Sequence, residues 1–145
     1  MLETAIEEVL KTDKITKKSF LGVFARNELP VDPTYPSCFV FNTSPRALPG
    51  SHWLCIFYDL NGNSFFFDSY GMHPQNFGMV EYLNNTSNSW SYNKKRLQGN
   101  SQYCGHFCIF FLLFKTRQKS KNFFLCFSKN LTKNDSIIKR LMSNF

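Results

Sequence analysis

The chain has 145 residues, a length that fits one domain with its own core, and with 43% hydrophobic and 19% charged residues it excludes a disordered tail. Its formal net charge of +7 biases it toward anionic partners such as nucleic acid, although small basic groups (Lys94, Lys95 and Arg96, or Lys139 and Arg140) equally suit a solvated surface. Five cysteines are an odd number, which excludes a fully paired disulfide framework. With no secretory leader at its start and no apolar run long enough to cross a bilayer, the chain is expected in a reducing compartment, neither secreted nor membrane-bound.

In chain order, residues 3–11 (ETAIEEVLK) carry Ile6, Val9 and Leu10 on one face and three glutamates on the other, which predicts a short helix. Thr4 and Glu7 have capping-box spacing. Residues 20–24 (FLGVF) form a hydrophobic anchor ahead of a loop, 27–36, that three prolines keep extended. Strands are predicted at 38–42 (CFVFN), 53–59 (WLCIFYD) and 64–68 (SFFFD). The turn-rich piece 43–50 separates the first two, and Asn61-Gly62 closes a hairpin between the others.

These strands are apolar on both faces, so the sheet is expected to be covered by helices. A weak helix at 76–84, a polar loop at 85–94 and a last short strand at 95–97 follow. Residues 98–115 (QGNSQYCGHFCIFFLLFK) run from a polar loop into a nearly all-apolar helix that begins at Cys104. Residues 122–127 read as either helix or strand. Thr132 and Asp135 again have capping-box spacing, before a terminal amphipathic helix at 136–143. The order predicts a single α+β domain over residues 1–145, with a mostly antiparallel sheet packed by helices.

A cysteine in the first turn of a buried helix faces unpaired N–H groups and the positive end of the helix dipole, which favour its thiolate. Cys104 is therefore the candidate nucleophile. Its base must be one of three histidines. His106 lies two residues along the same helix and points away, and His73 sits in a loop and is expected to face solvent. His52 stands at the start of the second strand, and the hairpin register brings Asp68 opposite Leu54 or Cys55, close enough to orient it. Gln98 and Gln102 are the amides available to an oxyanion hole, with the N–H of Cys104. Residue chemistry alone leaves open whether Cys104 is this nucleophile or a small core residue. Cys38, Cys55, Cys108 and Cys126 all lie in apolar runs, where a buried inert thiol is the default. No second pair of Cys or His stands near Cys104 and Cys108 to complete a metal site.

Gly50-Ser51-His52-Trp53, Phe67-Asp68-Ser69-Tyr70-Gly71 and the run Gln98 to Gly105 resemble, in order, the His, acid, Gln and Cys blocks of the adenovirus-type cysteine endopeptidases. Those enzymes share a clan with the proteases of SUMO and other ubiquitin-like proteins, and the resemblance covers roughly residues 5–115. It implies a Cys104–His52–Asp68 triad, an oxyanion hole of Gln98 and the Cys104 N–H, and a buried central helix behind the nucleophile. Gln102 is then the weaker oxyanion candidate. An acid that is Asp, and a Gln six positions before the Cys, follow the SUMO-protease side of the clan.

The activity implied is cleavage of viral capsid or core precursors, after small residues such as Gly, in the virion and in the host nucleus or cytoplasm. The source implied is a small DNA virus or a Polinton-type element. No metal is required, and DNA is a candidate activator. An activating peptide could bind only without the adenoviral disulfide, because residues 76–97 contain no cysteine. The competing expectations are a deconjugating protease for ubiquitin-like modifiers and a basic, non-enzymatic DNA-binding virion protein.

Overall fold

The computed structural model of the protein describes residues 3–44 and 52–144. Five strands, β1 (Phe20–Phe24), β2 (Ser37–Asn42), β3 (Trp53–Tyr58), β4 (Asn63–Phe67) and β5 (Ser89–Tyr92), form one sheet in sequential order. The centre of the sheet, β2 to β4, is antiparallel, whereas β1 and β5 join its edges in parallel. The helices are α1 (Glu3–Thr12), α2 (Val80–Thr86), α3 (Cys104–Thr116), α4 (Ser120–Leu125) and α5 (Leu131–Met142). This is the α+β architecture expected.

Alternation of side chains explains why the central strands are apolar on both faces. Phe39 and Phe41 of β2, Leu54, Ile56 and Tyr58 of β3 and Phe66 of β4 point to one side, where Met79 and Leu83 cover them. Cys38, Val40, Cys55 and Phe67 point to the other, against α3 with Ile6 and Leu10 of α1, Phe123 of α4 and Ile138 of α5. Helix α3 is consequently apolar nearly all round, as a helix inside a core must be. Phe111 stacks on Phe67 with 4.4 Å between ring centroids, fixing α3 against the sheet.

Three local expectations are corrected. The last strand is not 95–97, which has no regular structure, but Ser89–Tyr92, inside the segment expected to be a polar loop. There Trp90 and Tyr92 turn inward and the serines outward, an alternation that the surrounding Asn and Ser disguised. The anchor at 20–24 is itself a strand, with Gly22 at φ +138 in the register shift between Phe20 and Gly22. Finally, α5 starts earlier than expected: Asn130 is its cap, accepting from the Lys133 N–H at 3.0 Å. That leaves Thr132 within the first turn and Asp135 free for another task. The ambiguous 122–127 segment is largely helical, as part of α4. Thr4 lies inside α1 rather than at a cap the structure describes. The piece 45–51, with Gly50 and Ser51 of the His block, lies outside the described residues.

Candidate active site

The site forms where one end of β3 and β4 meets the N-terminus of α3. The hairpin pairs Tyr58 with Ser64 and Cys55 with Phe67, so the next step along β4 brings Asp68 level with Leu54 and within reach of His52. His52 Nε2 lies 2.6 Å from Asp68 Oδ1. The imidazole and the Cys104 thiol also act on each other, each moving the other's pKa toward the charged form. The three residues expected to form a triad are thus brought together, and the other histidines are not part of it. His106 is half-buried against Tyr103, its ring centroid 4.8 Å away. His73, expected to face solvent, is half-buried beside Trp90 and Tyr92, and its Nδ1 accepts from the Gln75 N–H.

The electrostatics favour a charged pair. Burial works against the thiolate of Cys104, but the hydrogen bond and charge of His52, with the N–H groups of Trp53 and Gly105, outweigh it and lower the pKa. The Trp53 N–H stands 3.5 Å from the sulfur. The helix end itself has no side-chain cap, so its first N–H groups remain turned toward this region. For His52, burial disfavours the imidazolium, yet the hydrogen bonds to Asp68 and Cys104 and their charges raise its pKa to about 9. Both shifts favour a thiolate beside an imidazolium.

The other thiols behave differently. Burial pushes Cys38 up to about 12 and Cys108 well above the usual thiol value, the latter helped by its contact with Cys55. Cys126, expected to be buried, is instead exposed on the outer side where α4 ends.

Asp68 is fully buried and has no freedom to turn. Its Oδ1 also accepts from the Tyr70 N–H and its Oδ2 from the Met72 N–H, both at 3.1 Å. The loop that supplies these donors turns at Gly71, at φ +69. A Cβ there would stand 2.5 Å from the Lys95 carbonyl carbon, so only glycine allows the strand exit to pass that closely. The imidazole is held by aromatic faces, with Tyr70 at 4.9 Å and Phe77 at 6.0 Å between ring centroids.

Gln98 is fully buried at the start of the loop that leads to Cys104. Its Oε1 accepts from the Ser69 hydroxyl at 2.5 Å, and its Nε2 donates to the Ser101 carbonyl at 2.8 Å, with a longer contact to the Ser101 hydroxyl at 3.3 Å. One amide hydrogen therefore ties the loop together, while the second has only that longer contact. Gln102 is exposed on the same loop.

Two supporting residues escaped the sequence. Asn93, just after β5, accepts from the Asp68 N–H at 3.0 Å and donates to the Asp68 carbonyl at 2.6 Å. Asp135 of α5 receives the Gly99 N–H on both carboxylate oxygens at 3.1 Å, bracing the loop between Gln98 and Cys104. An Asn in a polar run and an Asp in an amphipathic helix carry no signal of such roles. Among the described residues, no group of three or more His, Cys, Asp and Glu side chains could hold a metal ion.

Comparison with protein-family models and with curated proteins gave no match. Among solved structures the chain is similar to ChlaDub1 from Chlamydia trachomatis, with a TM-score of 0.52 and 16% sequence identity. The match covers 75% of this chain and 58% of that one, so the chain spans less than two thirds of the length of ChlaDub1. At this identity the likeness is one of fold, and the fold is that of the ubiquitin-like proteases.

Proposed function

We propose that the protein is a cysteine endopeptidase with Cys104 as nucleophile, His52 as base and acid, and Asp68 as the group that orients His52. The observation that carries this reading is the 2.6 Å His52–Asp68 hydrogen bond with His52 coupled in turn to Cys104, whose sulfur lies at the uncapped end of α3. The thiolate attacks the scissile carbonyl, and the carbonyl oxygen takes the negative charge. The Cys104 N–H and the second amide hydrogen of Gln98 stabilise that oxyanion. His52 then gives its proton to the leaving amine as the C–N bond breaks, leaving an acyl-enzyme. Water, losing a proton to His52, attacks the thioester; the acid product leaves and the thiolate returns.

The substrates proposed are virion precursor polypeptides cut after small residues, as the resemblance to adenovirus-type proteases implies. DNA is proposed as an activator through the basic surface, and no metal takes part. A second reading, removal of ubiquitin-like modifiers, is favoured by the fold likeness to ChlaDub1, whose name marks it as a deubiquitinase, and by the Asp at position 68.

The test is turnover of a peptide with a Gly-Gly site by wild type and by Cys104→Ala. Wild type is expected to cleave and the variant to lose essentially all turnover; equal turnover by the two sinks the assignment. Reporters built on the C-termini of ubiquitin and SUMO, run beside precursor peptides, separate the two substrate readings.

A further inference from the structure

Arg96 is a cation at the rim of the site that the fold orients without giving it a counter-ion. Its Nε donates to the Gln98 carbonyl at 2.7 Å, and its guanidinium lies over Tyr70 with Cζ 5.0 Å from the ring centroid. Tyr70 in turn stacks on the catalytic imidazole at 4.9 Å, so Arg96 stands one aromatic ring away from His52.

Two anchors, one hydrogen bond and one ring face, fix the plane of a side chain that would otherwise sample many rotamers. Among the described residues only one of its five N–H donors finds an acceptor. Among the described residues no carboxylate pairs with Arg96, and the residue is exposed. Lys94 and Lys95 beside it are exposed as well and reinforce the positive rim. A planar fork held still at the mouth of a site matches a carboxylate in two-point geometry, which a mobile surface lysine does not.

We infer that Arg96 forms a subsite for an acidic side chain, Asp or Glu, of the polypeptide substrate. This rests on the protease reading above. Arg96 Cζ is 5.0 Å from the Tyr70 ring and that ring 4.9 Å from the His52 ring, a path that an extended chain advancing about 3.3 Å per residue covers in about three residues at most. The substrates selected are those with an acidic residue at that distance from a small residue.

The experiment uses peptides with a Gly-Gly core in which Glu replaces Gln at one position at a time, over three residues on each side. At one position Glu is expected to raise kcat/KM of wild type over the Gln peptide by about fivefold or more, the scale of an oriented charge-assisted pair. In Arg96→Ala that ratio falls to about one. In Arg96→Lys, which keeps the charge but loses the fork, it lies between. A role confined to packing on Tyr70 would move turnover of both peptides together and leave the ratio alone. A wild-type ratio near one at every position, or one that survives in Arg96→Ala, overturns the inference.

The same Glu and Gln peptides are titrated calorimetrically against Cys104→Ala, alone and combined with Arg96→Ala. Selective binding that depends on Arg96, without cleavage by wild type, keeps the subsite and sinks the protease reading. Cleavage by wild type with no Glu preference in rate or binding does the reverse.

Discussion

Asn93 holds Asp68 by the backbone on both sides, taking its N–H at 3.0 Å and giving a hydrogen to its carbonyl at 2.6 Å. A carboxylate that must point at one imidazole nitrogen cannot be left to swing with the end of a strand, and β4 ends at Phe67. Asn93→Ala leaves the N–H of a buried residue unpaired and its carbonyl with the Gly71 N–H alone. Stability is expected to fall by about 1–3 kcal/mol, and kcat by about tenfold as Asp68 loses its aim. Urea unfolding and steady-state kinetics check the two effects; an unchanged kcat would show that Asp68 needs no such clamp.

The charged pair predicts an uncommon pH profile. Because the pKa of Cys104 is lowered and that of His52 is raised to about 9, thiolate and imidazolium coexist between the two. Alkylation of Cys104 by iodoacetamide, followed by mass spectrometry, should reach its midpoint below the ordinary thiol range near ~8.5. Exposed Cys126 serves as the internal reference, and buried Cys38 and Cys108 should stay unlabelled. His52→Ala should slow labelling of Cys104 at neutral pH by about tenfold or more.

Proteolysis should decline as pH rises through about 9, where His52 gives up the proton needed by the leaving amine. The stability side has the same sign. A pKa raised above 6.5 by folding contributes fully below pH 6.5, and the contribution is lost as pH rises through about 9. A Cys104 labelling midpoint near ~8.5 would count against the pair.

Asp135 reaches from α5 to the Gly99 N–H, and Asn134 beside it donates to the Leu97 carbonyl at 3.0 Å. The C-terminal helix therefore braces both sides of Gln98. Asp135→Ala strands a buried N–H, at about 1–3 kcal/mol, and should lower kcat more than it raises KM by loosening the nucleophile loop. Asp135→Asn retains an acceptor and should recover much of the rate. An Ala variant that loses stability but keeps wild-type kcat would limit α5 to a packing role.

Gly71→Ala tests the close passage of the loop after β4 under residues 95 and 96. Its added methyl meets backbone rather than a movable side chain, at a positive φ. The expected cost exceeds about 2 kcal/mol, read as a drop in thermal midpoint, and labelling of Cys104 should slow with it as Asp68 shifts. A variant as stable as wild type would mean that the loop has room to move.

Much of this protein was legible before any coordinates. The α+β class, the three central strands and the helix behind Cys104 follow from short apolar runs, an Asn-Gly turn and a long apolar stretch too continuous for a surface helix. The hairpin register was legible too, because a tight turn leaves little freedom, and it was enough to set Asp68 beside His52. What local pattern could not supply was anything held by distant residues. Strand β5 is a strand because β4 offers it an edge, not because Ser-Trp-Ser-Tyr demands one.

Asn93 and Asp135 look like surface polar residues in sequence and become supports only when the fold buries them against backbone groups that need partners. The docking of the α3 N-terminus on the end of β3, which brings the sulfur to His52 and the Trp53 N–H, is decided by the packing of both faces of the sheet. The sequence by itself determined which side chains could do the chemistry. Tertiary structure decided that they meet, since hydrogen bonds of two or three ångströms require long-range closure that no local preference encodes.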